Sequence, residues 1–178
     1  MKFENKEQLA KAVVNSIICK GRIPKVREQE VAEELRRQGA CFVTLYVDEK
    51  LHGCIGSIEA KQPLYKDIIE NAVGAAVRDF RFPPLRGEEL KRLKVEVSVL
   101  TPLKTYTPES PDSLLSYLRL HKPGLVIEKQ GRRAVYLPQV WEQLPDEEQF
   151  LMQLCLKAGL EPGAWRDKMR FQIFDVEK

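Results

Sequence analysis

The sequence predicts an α+β fold made of two similar halves that share one largely antiparallel sheet, and three observations predict it. Apolar residues recur at helical spacing in several segments, and β-rich runs come in pairs joined by short polar turns. The order helix, hairpin, helix, strand then occurs twice at an offset of roughly eighty residues, far longer than a solenoid period.

The elements follow in chain order. Leu9, Ala12, Val13, Ser16 and Ile17 give a first helix over 6–20, closed by Gly21 and Pro24. Val31, Ala32 and Leu35 form an apolar stripe on an otherwise charged run, which predicts a second helix from 28 to 38 ended by Gly39. "ACFVTLYV" and "LHGCIGSI" read as strands, and Asp48, Glu49 and Lys50 between them are of hairpin length. Pro63 sits where a first helical turn tolerates it, and Leu64, Ile68, Ala72 and Ala76 carry the stripe as far as Asp79. "LKVEVSVL" places Leu93, Val95, Val97 and Val99 on one strand face.

The second half repeats the order. Ser110 and Pro111 open a helix bearing Leu114, Leu115 and Leu118, and "GLVIE" and "RAVYLP" form a hairpin around Gln130 and Gly131. Asp146 caps the helix of Phe150, Leu151, Leu154 and Cys155, with Gly159 and Pro162 beyond its end, and "MRFQIFDV" closes the chain's last strand. The halves cover approximately 28–100 and 111–176, behind a helix at 6–20, in a single domain of 1–178. Three-strand units cannot each cover both faces of their sheet, so the two are expected to join, with helices packed outside. The pattern reads as an internal duplication, and "TPLKTYTPESP", with its prolines, is the candidate connection.

A chain of 178 residues that is 43% hydrophobic has the apolar surface for a substantial core. Its net charge of +3, from 29 basic and 26 acidic side chains, argues against strong non-specific nucleic-acid binding but leaves room for a local patch. Glu4, Lys6, Glu7, Lys11 and Asn15 interrupt the amphipathic start, so neither a secretory h-region nor a membrane span is expected, and the mature chain is taken as the whole chain. Cys19, Cys41, Cys54 and Cys155 form no C-x-x-C pair and lie in apolar segments, as reduced cytosolic cysteines do, which places the protein in the cytoplasm. The two histidines, His52 and His121, leave little scope for a metal centre; H-E-x-x-H, Walker A and G-x-S-x-G patterns are absent, and no motif names a cofactor.

Two stretches carry unusual chemistry. In "LHGCIGS", His52, Cys54 and Gly56 share one strand face. A cation two residues from a thiol favours the reactive thiolate, and Gly53 and Gly56 let a ligand or another backbone come close. The same residues also suit a small buried thiol, a solvated histidine and glycines that accommodate a bulge or a crossing helix. In "VRDFRFPPLRGEELKRLK", Arg78, Asp79, Arg81 and Phe82 crowd a helix end, where Pro83 forces Phe82 out of helical geometry. Arg78 and Arg81 could clamp a carboxylate or phosphate beside the faces of Phe80 and Phe82. Alternatively Asp79 neutralises an arginine and Phe82 fills the core. Tyr136 and Trp141 in "RRAVYLPQVW" read as core or rim packing.

"GACFVTL", "LHGCIGSI", "RDFRFPPL", "EELKRLKVEVSVLTP", "GLVIEKQGRRAVYLPQVWEQLPD" and "LCLKAGLEPGAWRD", in this order, resemble the AMMECR domain family, whose prokaryotic members are called AmmeMemoRadiSam system protein A. The resemblance covers nearly the whole chain and implies a duplicated strand-and-helix unit around one barrel-like sheet. Where the family usually reads L-R-G-C-I-G, His52 replaces the arginine, so a permanent cation becomes a titratable one. Gly87 stands where a Thr or Ser usually precedes the E-E-L triplet.

The family carries no securely assigned reaction, so substrate, cofactor and oligomeric state stay open. Its prokaryotic members associate with a Memo-like protein and a radical S-adenosylmethionine enzyme, which implies a shared modification pathway whose radical chemistry belongs to the partner. Two functions are expected as alternatives. One is a small-molecule or modified-residue site with Cys54 as nucleophile or covalent carrier, His52 as proton partner, and Gly53, Gly56, Arg78, Asp79, Arg81 and Phe82 around the ligand. The other is a non-enzymatic adaptor for protein or RNA that uses the "RDFRFPPL" corner.

Overall fold

Helix α1 (Lys6–Lys20) begins where the Asn5 side chain accepts from the Gln8 N–H and ends where Gly21, at φ 62°, donates to the Ile17 carbonyl. A computed structural model describes residues 3–177 of the chain. The chain divides into two compact units, Met1–Leu100 and Thr101–Lys178.

The run from 28 to 38 is not the expected helix. It forms two 3₁₀ turns, Glu28–Glu30 and Glu33–Leu35, broken at Val31, which makes a parallel bridge with Phe3. Phe3 takes the Glu30 carbonyl and gives its own to the Ala32 N–H, so the backbone groups a continuing helix needs are already committed. The apolar stripe still does its work, because Val31 and Leu35 are buried.

In this first unit β1 (Gln38–Gly39) pairs with β4 (Gln62–Pro63), while β2 (Cys41–Val47), β3 (Lys50–Gly56) and β5 (Leu93–Val99) form a separate antiparallel sheet in the order β3-β2-β5. The β2–β3 turn is Asp48–Glu49, both at positive φ, one residue shorter than the sequence spacing suggests. Helix α2 (Leu64–Val77) covers β2 and β3, and α1 packs against α2 and β5. Leu9, Val13, Val43, Leu45, Ile68 and Ala72 are sealed between them.

The second unit holds β6 (Lys104–Tyr106), α3 (Pro111–His121), β7 (Gly124–Lys129), β8 (Arg132–Tyr136), α4 (Glu147–Lys157) and β9 (Arg170–Phe174). Its antiparallel sheet runs β6-β9-β7-β8. Asp146 caps α4 through the Gln149 N–H, and Gly159 follows that helix at φ 72°. Gln130 and Gly131, both at positive φ, close the β7–β8 hairpin, a turn whose twist matches that of its strands. Trp141 stacks on Phe150 at 3.7 Å and gives its indole N–H to the Pro123 carbonyl at 2.8 Å, so it is core.

The expected single barrel-like sheet is corrected. Among the described residues no strand of one sheet pairs with a strand of another. The premise that a three-stranded sheet must borrow strands fails because each unit buries a sheet face under its own helices, α1 and α2 in the first and α4 in the second. The common feature lies inside each unit, where the first hairpin strand is central: β2 lies between β3 and β5, and β7 between β8 and β9.

Candidate functional site

Strand β3 is an edge strand, and its geometry is set by glycine and a bulge. Gly53 lies opposite Leu45 and faces α2 so closely that a Cβ there would sit 2.1 Å from the Ala75 carbonyl oxygen. Only glycine admits that approach. A Cβ at Gly56 would fall 2.2 Å from the Phe42 ring. Protein atoms therefore fill the space that both glycines leave. Leu45 pairs with Gly53 and Tyr46 with Leu51, so His52 is the extra residue of a β-bulge.

With Gly53 turned to the helix, Cys54 points to the opposite face, and register supplies its neighbours. Thr44 lies across from Cys54, and Glu96 lies across from Thr44, so a thiol, a hydroxyl and a carboxylate form one row over three strands. The Thr44 Oγ1 is 3.3 Å from the Cys54 Sγ. The next row is Leu51, Tyr46 and Lys94, and Lys94 pairs with Glu96 at 2.7 Å. Burial, with Glu96 and the Cys54 thiol nearby, raises the Tyr46 phenol above its ordinary value.

The bend after α2 joins this face through Asp79, which is 5% exposed. Its carboxylate accepts the Cys54 backbone N–H at 2.9 Å and takes Arg81 in a fork, Nε at 2.9 Å and Nη2 at 2.7 Å. The Arg81 Nη2 also donates to the Cys54 carbonyl at 3.0 Å. The hydrogen bonds from Arg81 lower the Asp79 carboxyl to about 2 despite its burial, with the Cys54 N–H adding to the effect. Asp79 in turn raises the Arg81 guanidinium, to which the Cys54 thiolate adds.

Phe82 stacks on His52 with centroids 6.3 Å apart, and Arg81 lies 5.4 Å from the Phe82 ring centre. The His52 Nε2 is buried and makes no hydrogen bond among the described residues. Arg78 is exposed at the end of α2, where its backbone N–H caps the Gly74 carbonyl. Phe80 is 97% exposed. The structure thus brings Cys54, Asp79, Arg81, Phe82 and His52 together and leaves Arg78 on the outside. Below the row, Asp67 and Asn71 of α2 form a buried network with Ser57 and the Cys41 backbone that ties the helix to the ends of β2 and β3.

Cys41 and Cys155 are buried, with thiols pushed up chiefly by burial, whereas Cys19 is exposed, against the expectation of an apolar setting for every cysteine. Among the described residues no group of His, Cys, Asp or Glu is placed to hold a metal ion, and no helix is long and apolar enough to cross a membrane.

Residues 7–178 match the AMMECR1 family. The chain belongs to it. A relative from Methanocaldococcus jannaschii, Protein MJ0810, is 40% identical over 159 residues, covering 88% of this chain and 78% of its own. Protein MK0488 from Methanopyrus kandleri is 39% identical over 145 residues, covering 79% of this chain and 70% of its own. The crystal structure of an uncharacterized protein, PH0010, from Pyrococcus horikoshii matches with a TM-score of 0.88 at 34% identity, over 97% of this chain and 87% of that one.

Thr44, Tyr46, Lys94 and Glu96 were not singled out from the sequence. A signal exists: the face opposite Val95 and Val97 carries Lys94, Glu96 and Ser98, and Thr44 interrupts an apolar strand. Strand register, which spacing does not supply, turns those alternations into a row.

Proposed function

We propose that this AMMECR1 protein binds or modifies a small molecule or a modified residue on the face built around Cys54. The observation that carries the reading is the double use of Asp79, which holds the backbone of the thiol-bearing residue and aims a guanidinium beside it. In this reading Cys54 is the nucleophile or covalent carrier, His52 its proton partner, and Arg81 the clamp for an anionic group. A pathway shared with Memo-like and radical S-adenosylmethionine partners belongs to the same proposal and rests on the family resemblance, whereas a cytoplasmic location, proposed with it, rests on the four cysteines, none in a C-x-x-C pair.

The test is the pH dependence of Cys54 alkylation in a Cys19→Ser background, which leaves two buried cysteines beside Cys54. We expect half-maximal reactivity below the ordinary thiol value of about 8.5, and an upward move in Arg81→Gln. A midpoint at or above that value, unmoved by Arg81→Gln, sinks the reactive-thiol reading. Ligands retained from cell extract by the protein and lost in Cys54→Ser would place the thiol in the binding site.

The exposure of Phe80 favours a second reading, an adaptor that presents the bend after α2 to a protein or RNA. Phe80→Ala would then abolish partner capture and leave Cys54 alkylation unchanged. RNA binding indifferent to added salt would remove the phosphate version.

A further inference from the structure

Thr44 is the buried polar residue of β2, the central strand of the first sheet, at 4% exposure. A hydroxyl shut away from water needs a hydrogen-bond partner. The Cys54 sulfur, 3.3 Å from Oγ1, is the partner it has among the described residues. The other group its register places nearby is the Glu96 carboxylate on β5, and Lys94 takes that at 2.7 Å.

Charge alone does not decide the state of this thiol. Arg81, on the bend after α2, favours the thiolate, but its guanidinium is forked on Asp79, which opposes it. Glu96 on β5 also opposes a thiolate, and Lys94 offsets Glu96. Tyr46 on β2, its phenol raised chiefly by burial, keeps its proton at neutral pH. His52, next but one on β3 itself, stacks on Phe82. Helix α2 packs on the opposite face of the sheet, with its Asp67 turned to the Cys41 N–H. Two ion pairs of opposed effect largely cancel at the sulfur, which leaves the weight on the group in direct contact with it.

A hydroxyl both donates and accepts, and its hydrogen rotates to suit. The Thr44 oxygen accepts from the S–H while the thiol holds its proton. Once that proton leaves to water, the hydroxyl turns its own hydrogen to the sulfur, and a hydrogen bond to a charged form favours that form. We propose that Thr44 is the positioning residue of the Cys54 site, its hydroxyl holding the sulfur in place and stabilising it as the thiolate. The inference rests on the reactive-thiol reading and adds to it a residue that acts on the sulfur without meeting a ligand.

The full chain in the Cys19→Ser background can be alkylated with iodoacetamide, a neutral reagent, over a series of pH values. Thr44→Val keeps the shape of the side chain and removes the hydroxyl, and should move the midpoint of Cys54 reactivity up by about one pH unit. Thr44→Ser keeps the hydroxyl and loses the methyl, and should recover most of that shift, which a role in packing alone would not produce. Equal shifts in the two variants, or none in Thr44→Val, overturn the proposal. If Thr44→Val fails to fold, Thr44→Ala removes the same hydroxyl and is judged by the same comparison with Thr44→Ser. The two readings separate in the outcome. A low midpoint that rises in Arg81→Gln and holds in Thr44→Val keeps the reactive thiol and removes Thr44, whereas a midpoint at or above the ordinary thiol value in the unsubstituted protein removes both.

Discussion

Asp79 shows what one residue contributes. A buried carboxylate is costly unless it is paired, and this one is paired with a guanidinium and two backbone N–H groups, those of Cys54 and Arg81. Its folded value of about 2 lies below the unfolded value of 3.8, so its contribution to stability is complete above about pH 4 and is lost as pH falls through about 2. The shift corresponds to on the order of 2 kcal/mol, less what solvent removes at the half-exposed Arg81. Asp79→Asn should therefore destabilise the protein at neutral pH and flatten the acid limb between pH 4 and 2, as read by urea unfolding at a series of pH values. Composition and spacing put Cys54 and Arg81 in two separate stretches expected around one ligand, and they offer Asp79 either as a ligand-side residue or as the neutraliser of an arginine, not as the link between the stretches. The tie between the clusters spans 25 positions, a distance at which local pattern says nothing.

Between elements, the contact of β3 with α2 shows how closely secondary structure can approach. The strand meets the helix backbone at Gly53, and no side-chain rearrangement relieves a clash with a main-chain carbonyl. Gly53→Ala should cost about 2–3 kcal/mol through forced separation of strand and helix, and the loss should appear as a lower denaturation midpoint. Most elements are legible because their signals are local: Ser110 and Asp146 cap helices, and Gln130-Gly131 turns a hairpin. The run from 28 to 38 departs from the helix its spacing predicts because its apolar residues suit a helix while its backbone serves a bridge to Phe3, a partner more than two dozen residues away. Gly87 raises a similar point: a 3₁₀ turn starts there without a capping hydroxyl, because Glu89 reaches back to the Arg86 N–H at 2.8 Å.

For the whole molecule, the α+β class and the antiparallel pairing could be read from periodicity, but the number of sheets could not. Which strand edges meet depends on how helices cover faces, and that is settled by packing rather than by spacing. Each unit carries a core of its own, Leu9 through Val97 in one and Leu114 through Phe171 in the other. Leu154 is fully buried in the second core, and Leu154→Ala should cost about 2–5 kcal/mol, seen as faster hydrogen exchange in the amides of 101–178. One consequence concerns the outer side of β3. At Cys54 the N–H and carbonyl that an edge strand would offer to an incoming chain are already occupied by Asp79 and Arg81, so an ion pair stands in for the missing neighbour strand. The same two side chains that frame the thiol thus guard the molecule against self-association by strand addition, and weakening them would leave an open template for aggregation.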